Sequence, residues 1–579
     1  LKQMGCQSVA IYNEADADSL HVQHADEAYS LGEGRAADTY LDQDKIFDII
    51  EKTGVDAVHP GYGFLSENPA FVKRCEENGI AFIGPTTQQM QSFGLKHTAR
   101  QLAEDNDIPL LPGTGLVDTV EEALSASASI GYPVMLKSTA GGGGIGMQLC
   151  WDSDELSQAY DSVRRLSENN FSNSGVFIEK FIEYARHIEV QVFGDGKGKA
   201  IAIGERDCSS QRRNQKVIEE TPAPNIPQQV RSELHDTAAK LVSAVNYRNA
   251  GTVEFVYDQK SDQFYFLEVN TRLQVEHGVT EQVFNIDLVE WMVRLAAGEL
   301  DDLDVLAAQL KPGGHAIQAR IYAEDPNKDF QPSAGLLSEV VFPEDKDISG
   351  QGAAKSSLRI DHWLETGIEI SPLFDPMLAK IVITAPDRDT AIQQLDAALA
   401  KTVLYGIETN IRYVREILNT DIFKQGDIYT RYLNNYVTQP YSIDVISSGT
   451  LTTIQDYPGR TGYWDIGVPP SGPFDQYSFN LANRLLGNDA SAAGLEITLN
   501  GPTLKFNNDS RIVLAGAGMD VHLDGAVVAF WQPVEVKAGQ VLKIGKTASA
   551  GARAYLCIQG GIDCPDYLGS KSTFTLGQF

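Results

Sequence analysis

Polar and apolar residues alternate along residues 266–277, which read Phe-Leu-Glu-Val-Asn-Thr-Arg-Leu-Gln-Val-Glu-His. Alternate side chains of a β-strand share one face, so a strand here gathers the polar side chains on one side. Eight steps of ~3.3 Å would span about 26 Å, which is too long for one compact site. We therefore expect the strand to end near Asn270 and the chain to bend. A half-exposed strand with a polar outer face would give the same alternation.

The polar members of this segment have the chemistry for two kinds of ligand. A carboxylate with an amide can hold a hard cation through oxygen atoms. An arginine beside a carboxylate can hold a small anion and present a general base to it. The segment could therefore contact a metal ion at one end and an anionic substrate at the other. Its polar members are Glu268, Asn270, Arg272, Gln274 and Glu276.

The pattern of apolar runs over the first 436 residues predicts α/β and then α+β structure. Up to about residue 90, predicted strands alternate with predicted helices, which indicates an open parallel sheet. Longer strands follow between about 132 and 270, and a mixed segment runs from Lys311 to about Tyr436. The predicted strands are 8–12, 57–59, 134–137, 147–150, 176–181, 187–193, 252–257 and 264–269, and the predicted helices are 45–52 and 70–78.

The pattern changes after about residue 443, where short strands and Gly/Asp turns dominate. We predict strands at 521–523, 527–530 and 534–536, and one helix near 475–486 that ends at Gly487. Residues 434–442 resemble a linker. The fold class is therefore a multidomain α/β and α+β assembly followed by a mostly β region.

Length, charge and cysteine content limit the functional classes. A chain of 579 residues suggests three or more domains. A net charge of −31 argues against nucleic acid or an anionic membrane as a partner, and no apolar run approaches the ~18 residues of a membrane span. Six scattered cysteines without a CxxC motif predict a reduced, cytoplasmic protein without structural zinc. Because the chain starts inside an apparent helix, we expect it to be a fragment.

Residues 137–147 form a glycine-rich segment, Lys-Ser-Thr-Ala-Gly-Gly-Gly-Gly-Ile-Gly-Met, between two predicted strands. Glycines allow backbone N–H groups to approach phosphate oxygens. The segment is not a Walker A loop, because no Gly-Lys-Ser/Thr follows. It is typical of a flap that closes over a triphosphate with Lys137 as the countercharge, and a mobile hairpin tip is the alternative.

Two further segments carry charge. Glu254 and Glu268 lie on successive predicted strands, and if these strands pair as a hairpin, both carboxylates can join Asn270 around a magnesium ion. Two surface acids are the alternative, which is less favourable among strongly apolar neighbours.

Residues 206–216 form a basic, polar patch in an acidic protein, and they predict either phosphate or bicarbonate binding or a solvated loop.

Four segments, 59–67, 137–147, 205–220 and 266–281, occur in the order and spacing of biotin carboxylases, which are ATP-grasp enzymes. The resemblance extends from Leu1 to about residue 435. It implies an N-terminal α/β domain at 1–95, an ATP-grasp region at 96–310 with a lid at about 115–185, a C-terminal domain at 311–436 and a linker at 437–442.

The resemblance also implies a role for individual residues. Glu276 is similar to the general base that deprotonates bicarbonate for attack on the γ-phosphate, giving carboxyphosphate and then CO2 beside biotin. Arg320 is similar to the arginine that stabilises the biotin oxyanion. The remaining implied sites are ATP phosphates (Lys96, Lys137, Gly142, Gly143, Gly144, Asn214), adenine (Glu179, Lys180, Ile182), ribose (His187, Gln211), the metal (Glu254, Glu268, Asn270) and bicarbonate (Lys216, Arg272, Gln274, Val275). Ile145, Asn214 and Gly278 depart from the usual bacterial pattern, in which a basic residue, a histidine and a proline are common.

Residues 443–579 resemble the carboxyltransferase domain of urea carboxylases, through the segments 449–456, 458–462, 468–475 and 483–488. This resemblance implies that urea is the acceptor and allophanate the product. From its turn-rich composition, with Asp475 and backbone groups freed by prolines and glycines, we expect Val468–Asp475 to line part of the acceptor pocket. A biotin carboxylase serving an acyl-CoA or pyruvate transferase is one alternative, and a non-enzymatic regulatory protein is another.

The two resemblances also imply ligands and partners. The cofactors are ATP, Mg2+ (or Mn2+ in its place) and biotin. No methionine precedes a lysine, so the Met-Lys-Met biotin attachment site is absent and biotin must sit on a carrier domain outside residues 1–579. Allophanate hydrolase is expected as a fused domain or a separate enzyme. The oligomeric state stays open, a homo-oligomer included.

Overall fold

A computed structural model describes residues 1–94, 96–138, 147–170, 176–348, 357–438, 441–548, 550–564 and 566–577. The chain forms two compact units, Leu1–Tyr436 and Val437–Phe579. The mixed α/β first unit and the mostly β second unit confirm the predicted fold class. Among the described residues, no helix has the length and apolarity needed to cross a membrane.

The first unit begins with short parallel strand pairs and helices. Strands β1 and β2 pair in parallel, as do β3 and β4, so the predicted parallel pairing is present as two separate two-stranded sheets. Helix α2 begins after Asp42, which accepts hydrogen bonds from two backbone N–H groups, and ends at the left-handed Gly54. The elements are β1 Val9–Tyr12, α1 Leu20–His24, β2 Glu27–Ser30, α2 Gln43–Thr53, β3 Ala57–Val58, α3 Pro69–Glu77, β4 Ala81–Phe82 and α4 Thr87–Gly94.

A three-stranded antiparallel sheet follows, with the strand order β6-β5-β7. Apolar side chains that alternate along its strands, such as Leu136 and Ile178, pack against Leu156 and Val163 of α7. The elements are α5 Lys96–Asp105, α6 Val120–Ile130, β5 Val134–Ser138, β6 Met147–Cys150, α7 Ser153–Asn170 and β7 Val176–Lys180. Gly142, Gly143, Gly144 and Ile145 lie outside the described residues, as does the side chain of Lys96.

An eight-stranded antiparallel sheet dominates the first unit, in the order β12-β11-β8-β9-β10-β13-β20-β18. The basic patch at 206–216 lies in the β9–β10 hairpin, so the solvated-loop alternative is wrong for most of it. The elements are β8 Ala185–Asp195, β9 Ala200–Arg212, β10 Gln215–Thr221, α8 Gln228–Ser243, β11 Arg248–Asp258, β12 Gln263–Asn270, α9 His277–Phe284, α10 Leu288–Ala297, α11 Leu303–Gln309, β13 His315–Tyr322, β14 Glu324–Asp325, β15 Gln331–Pro332, β16 Gly335–Leu336, β17 Glu339–Val341, α12 Asp345–Ile348, β18 Ser357–His362, β19 Glu369–Ile370, β20 Met377–Ala385, α13 Arg388–Lys401, β21 Val403–Tyr405, α14 Ile411–Leu418 and α15 Asp421–Gln425.

This sheet crosses the boundary predicted between residues 310 and 311. Strand β10 pairs with β13, so residues of the ATP-grasp region and of the C-terminal region share one sheet. The pairing is what places Arg320, on β13, beside side chains that come from β10 and from the segment before α9.

The second unit contains two five-stranded antiparallel sheets, β22-β25-β30-β27-β28 and β23-β24-β31-β26-β29. Residues of both sheets, among them Leu504 and Leu556, share one core. The predicted helix and its end at the left-handed Gly487 are confirmed. The elements are β22 Ile443–Ser447, β23 Leu451–Gln455, α16 Gln476–Leu486, β24 Gly494–Thr498, β25 Thr503–Phe506, β26 Ser510–Gly516, β27 Met519–Leu523, β28 Ala526–Val527, β29 Val534–Val536, β30 Val541–Thr547 and β31 Arg553–Ile558.

One strand prediction in this unit is wrong. The strand predicted at 527–530 ends at Val527, because the chain leaves β27 and crosses to the other sheet. The backbone N–H of Trp531 donates to the carbonyl oxygen of Leu514, on β26, at 2.8 Å.

Candidate active site

A row of charged residues crosses four neighbouring strands of the eight-stranded sheet. Glu254 lies opposite Glu268 on one side and opposite Glu189 on the other, and Glu189 lies opposite Arg206. Register partners in antiparallel strands point to the same face, so these side chains form one line. The predicted hairpin pairing of Glu254 with Glu268 is confirmed.

Glu276 lies in the segment that connects this row to the next helix. Strand β12 ends at Asn270 as predicted, the chain bends, and Glu276 is the last residue before α9. Its buried carboxylate accepts a hydrogen bond from Lys216 Nζ at 2.6 Å and another from Arg320 Nη2 at 2.8 Å. Burial would raise the pKa of Glu276, but Lys216 and Arg320 outweigh it and hold the pKa well below its usual range.

Lys216 connects the two ends of the site. Its ammonium donates to Glu276, to Glu189 at 2.6 Å and to Glu254 at 3.1 Å. Burial disfavours the charged amine, yet these three carboxylates hold the pKa of Lys216 well above its usual value. A lysine that remains charged among three carboxylates can stabilise an anion that enters between them.

The row of carboxylates also provides the oxygen atoms of a candidate metal site. His187, Glu189 and Glu254 have ligand atoms within 4.8 Å of one another, and His187 Nε2 lies 3.1 Å from Glu254. Burial lowers the pKa of His187, but the Glu254 carboxylate outweighs it and the net shift is upward. The resemblance implied that His187 contacts ribose, whereas its imidazole lies among the metal-ligand candidates.

The residues around Glu276 are fixed by contacts from several elements. Gln274 donates to Glu254 at 2.9 Å and accepts from Arg206 at 3.1 Å, and Asn270 donates to Glu254 at 2.8 Å. The carbonyl oxygen of Val275 accepts a hydrogen bond from Lys380 at 3.1 Å. The structure therefore gathers Gln274, Val275 and Asn270 around the two central carboxylates.

Arg272 lies at a more exposed position, where the turn at 59–67 reaches the same segment. Its Nε donates to Glu67 at 2.9 Å, and Glu67 also accepts from the backbone N–H of Thr271 at 3.1 Å. The ring of Tyr62, in the same turn, lies 6.1 Å from that of His277. The 59–67 segment thus positions the chain on which Glu276 lies.

The residues predicted for adenine and phosphate form a second group, at the three-stranded sheet. Lys137 forms an ion pair with Glu179, which also accepts from Arg100 at 3.0 Å. Lys180 donates to the carbonyl oxygens of Gly131 and Tyr132. Ile182 follows β7 and is half-buried.

Gln211 and Asn214 lie in the β9–β10 hairpin, apart from that group. Gln211 is buried and donates to the carbonyl oxygen of Cys208 at 2.8 Å. Asn214 is exposed at the hairpin turn with a φ of 67°, a conformation that asparagine adopts more readily than most residues. The implied phosphate role of Asn214 stays a prediction.

Sequence reasoning did not identify Glu189 and Glu219. Both are fully buried carboxylates that contact predicted site residues: Glu189 contacts Lys216, and Glu219 contacts Arg320. A signal was present in the sequence, because Glu189 stands between the apolar residues Ile188 and Val190 in a strand. An uncompensated buried carboxylate is costly, so its presence there indicates a buried cation nearby.

In the second unit, Asp475 was expected to line an acceptor pocket. Its carboxylate instead caps α16: one oxygen accepts from the backbone N–H of Ser478 at 3.0 Å and the other from its hydroxyl at 2.5 Å. Its backbone N–H donates to the hydroxyl of Tyr555 at 2.7 Å. The carboxylate of Asp475 therefore caps α16 in this conformation, and its place in an acceptor pocket stays a prediction.

Three family models match consecutive parts of the first unit. The family model of the biotin carboxylase N-terminal domain matches residues 1–90, that of the carbamoyl-phosphate synthase L chain ATP-binding domain matches 96–303, and that of the biotin carboxylase C-terminal domain matches 318–435. A biotin carboxylase of Halalkalibacterium halodurans is 43% identical over 438 residues, covering 75% of this chain and 94% of the relative. The chain belongs to the biotin carboxylase family.

This biotin carboxylase family member also resembles larger proteins over its whole length. The model of the carboxyltransferase domain, subdomains A and B, matches residues 466–579. The urea amidolyase of Saccharomyces cerevisiae is 51% identical over 577 residues, covering 100% of this chain and 31% of the relative. The crystal structure of the Kluyveromyces lactis urea carboxylase has a TM-score of 0.81 at 44% identity, covering 99% of this chain and 43% of that chain. The chain thus spans about a third of the length of the curated amidolyase, and both predicted resemblances are confirmed.

Proposed function

We propose that this protein carboxylates biotin with bicarbonate at the expense of ATP and that the carboxyl group then passes to urea, giving allophanate. One observation carries the first half: Glu276 lies between Lys216 and Arg320, with 2.6 Å and 2.8 Å contacts to its two oxygens. This arrangement provides a base, a cation for an anionic substrate and a donor for a developing oxyanion within one buried cluster.

The side chains divide the chemistry among them. Glu276 is ionised at neutral pH because its pKa is depressed, so it can accept the proton of bicarbonate. A base with so low a pKa is weak, but an arriving bicarbonate competes for the same cations. When Lys216 turns from Glu276 to bicarbonate, the pKa of Glu276 rises and its basicity increases. Arg272, whose Nε donates to Glu67 in this conformation, is the second proposed cation for bicarbonate. Arg320 is the donor aimed at the ureido oxygen of biotin.

The donor set suits Mg2+ and ATP. Glu254 and Glu268 face each other across a strand pair, and carboxylate oxygens are ligands that a hard cation prefers. Asn270 donates to Glu254 in this conformation, so its amide must turn before its oxygen can bind a metal. When bound, Mg2+ or Mn2+ offsets phosphate charge and biotin supplies the nitrogen that is carboxylated. The proposed nucleotide contacts remain those that the resemblance implies: Lys96, Lys137, Gly142, Gly143, Gly144, Glu179, Lys180, Ile182, His187, Gln211 and Asn214.

The second unit supports urea as the acceptor. The relatives that match the chain from end to end are named urea amidolyase and urea carboxylase, and residues 466–579 match a carboxyltransferase model. The partners proposed on this basis are a biotin carrier domain and an allophanate hydrolase, fused or separate. The cytoplasmic location inferred from the cysteines belongs to the same proposal.

Phosphate release from ATP tests the first half directly. Purified protein should release phosphate only when Mg2+ and bicarbonate are both present, and labelled carbon from bicarbonate should appear on free biotin. Reactions without bicarbonate and with a chelator are the controls. A rate of phosphate release that does not depend on bicarbonate, or the absence of labelled carbon on biotin, contradicts the proposal.

A further inference from the structure

Arg320 is held from two sides by carboxylates, and only one of them has a role in the chemistry described above. Its Nη2 donates to Glu276, whereas its Nε donates to Glu219 on β10. Nη1 lies 3.5 Å from the hydroxyl of Tyr322. Each nitrogen of the guanidinium group therefore has a neighbour, which fixes its plane.

We propose that Glu219 is a positioning residue, which holds the Nε edge of Arg320 so that the Nη2 edge points to where Glu276 and the ureido oxygen of biotin meet. The inference rests on the proposed function, because it assigns Glu219 a role through Arg320. Within the part of the chain that the structure describes, Glu219 forms no hydrogen bond to Lys216 or to the metal-ligand candidates, and it belongs to no site predicted from the sequence.

The geometry of β10 and β13 explains why Glu219 can do this. Glu219 lies opposite Gln318 in the register, and Arg320 lies two residues further along β13 on the same face. One oxygen of Glu219 accepts from Gln318 Nε2 at 3.0 Å, which leaves the other for Arg320. Because Glu219 is fully buried and fixed by Gln318, it is a rigid anchor for a long, flexible side chain.

Removing this anchor has a specific consequence. An arginine fork binds a carboxylate best through two parallel hydrogen bonds. Without Glu219, the guanidinium group is free to turn and form such a pair with Glu276. Arg320 would then point at the base instead of at biotin, and the loss should fall on biotin carboxylation more than on ATP cleavage.

The neighbouring Glu220 provides a matched control. It is also a buried glutamate on β10, but it points to the opposite face, where it accepts from Arg388 at 2.6 Å and 2.9 Å and contacts His315 at 2.7 Å. Substituting either residue removes one buried carboxylate from the same strand. Of these two glutamates, Glu219 is the one that contacts Arg320.

The test measures two rates for each variant: carboxylation of free biotin and bicarbonate-dependent phosphate release without biotin. We expect Glu219→Gln to lower kcat/KM for biotin about 10-fold or more, and to change phosphate release less than about twofold. Glu220→Gln should lower thermal stability while leaving the ratio of the two rates unchanged. Because Gln keeps the size of the buried side chain and its oxygen can still accept from Gln318, the variant should fold.

The decisive measurement is a double-mutant cycle. In an Arg320→Ala background, Glu219→Gln should cause no further loss of biotin carboxylation, because the side chain that it positions is gone. Equal, additive losses in both backgrounds would overturn the proposal, as would a proportional fall of both rates in Glu219→Gln.

Glu219→Asp, which keeps the charge but shortens the side chain, provides a second variant if Glu219→Gln does not fold. It should show the same selective loss, and wild-type biotin kinetics in it would overturn the proposal. Unmodified protein that releases no phosphate with bicarbonate refutes the proposed function instead.

Discussion

The ionisation of Glu276 depends on side chains that also have their own partners. Lys216 is shared with Glu189 and Glu254, and Arg320 is shared with Glu219. Each cation would therefore keep a carboxylate partner if Glu276 were neutral. This sharing allows Glu276 to gain and lose a proton during turnover without leaving a buried cation unpaired, which would cost several kcal/mol.

The same sharing makes Glu276→Gln an informative substitution. The amide keeps the size of the side chain but cannot accept a proton, so bicarbonate-dependent phosphate release should fall about 10²–10⁴-fold. ATP affinity, measured by calorimetry, should change little because Lys137 and Glu179 lie at another sheet. Glu290→Gln, an exposed change on α10, is the control. Near-normal turnover in Glu276→Gln would exclude Glu276 as the base.

Arg320→Ala should separate the two half-activities. Arg320 is aimed at biotin, so carboxylation of free biotin should fall by about 100-fold or more, the cost of losing one oxyanion donor. Bicarbonate-dependent phosphate release should fall much less, since Lys216 still contacts Glu276. Both rates are measured on one preparation. Equal losses would assign Arg320 to the nucleotide or to the fold.

Sequence patterns identified the central residues of this site but not the buried carboxylates Glu189 and Glu219 that hold them in place. Glu254, Glu268 and Glu276 were identifiable because alternation and one motif place them near one another. Glu189 and Glu219 come from β8 and β10, and each of these strands has one sheet neighbour that is distant in sequence, β11 and β13 respectively. Their roles depend on strand order, which local periodicity does not encode.

At the level of elements, strand positions were predictable and pairing was not. The strands predicted at 147–150 and 534–536 agree with the structure at both ends. The join between β10 and β13 brings together residues about 100 positions apart, and no turn connects these two strands directly. Short-range patterns predict hairpins such as β11–β12, whereas tertiary packing decides the other neighbours.

Helix α9 offers a test of the departure at Gly278. Glycine in a helix costs about 0.5–1 kcal/mol relative to alanine. A Cβ atom at Gly278 would lie 3.5 Å from Gln318 Oε1 and 3.7 Å from Val382, which is ordinary contact. Gly278→Ala should therefore raise the free energy of unfolding of the first unit by up to about 1 kcal/mol, measured in guanidinium chloride.

A second glycine gives the contrast. At Gly194 an added Cβ would lie only 2.0 Å from the carbonyl oxygen of Tyr247, so backbone must move. Gly194→Ala should destabilise the unit under the same conditions. If Gly278→Ala destabilised it to the same degree, the first turn of α9 would require glycine for a reason other than space.

The ion pair between Glu220 and Arg388 joins β10 to α13, and it predicts that the stability of the first unit depends on pH. Burial would raise the pKa of Glu220, but His315 and Arg388 lower it to about 2. The folded-state pKa is thus below the unfolded value, so the stabilisation is complete above about pH 4.5 and is lost as the pH falls towards 2. A shift of this size corresponds to about 3 kcal/mol at neutral pH.

Comparison with Glu220→Gln isolates this contribution from those of other carboxylates. The difference in unfolding free energy between the unmodified protein and Glu220→Gln should shrink by about 1 kcal/mol between pH 6 and pH 3.5. Chemical denaturation across this range measures it. A difference that stays constant with pH would show that Glu220 titrates alike in the folded and unfolded states.

For the whole molecule, the division into two units separates the steps of the proposed reaction. The buried cluster around Glu276 lies entirely within Leu1–Tyr436, whereas the carboxyltransferase match lies in Val437–Phe579. The chemistry of the first unit can thus be measured with free biotin, whatever the acceptor is. In the proposed reaction, the transfer to the acceptor belongs to the second unit, which the carboxyltransferase model matches.

The holoenzyme that contains this chain should carboxylate urea in preference to acetyl-CoA, propionyl-CoA and pyruvate. Urea is small and neutral, with donors at two ends and one acceptor, so a pocket for it requires several fixed hydrogen-bond partners. Such pockets discriminate strongly, because a wrong ligand leaves buried polar groups unpaired. The segment Val468–Asp475 remains the part of the second unit that we expect to contribute some of these partners.

Steady-state phosphate release by the biotinylated holoenzyme, with ATP, Mg2+ and bicarbonate, should therefore rise when urea is added. It should respond little to either CoA ester or to pyruvate, and labelled carbon should appear in allophanate. A variant with Glu276→Gln, which blocks the first step, provides the control: it should abolish the response to urea together with the bicarbonate-dependent rate. Carboxylation of an acyl-CoA without any urea-stimulated turnover would refute urea as the acceptor while leaving the biotin carboxylation step intact.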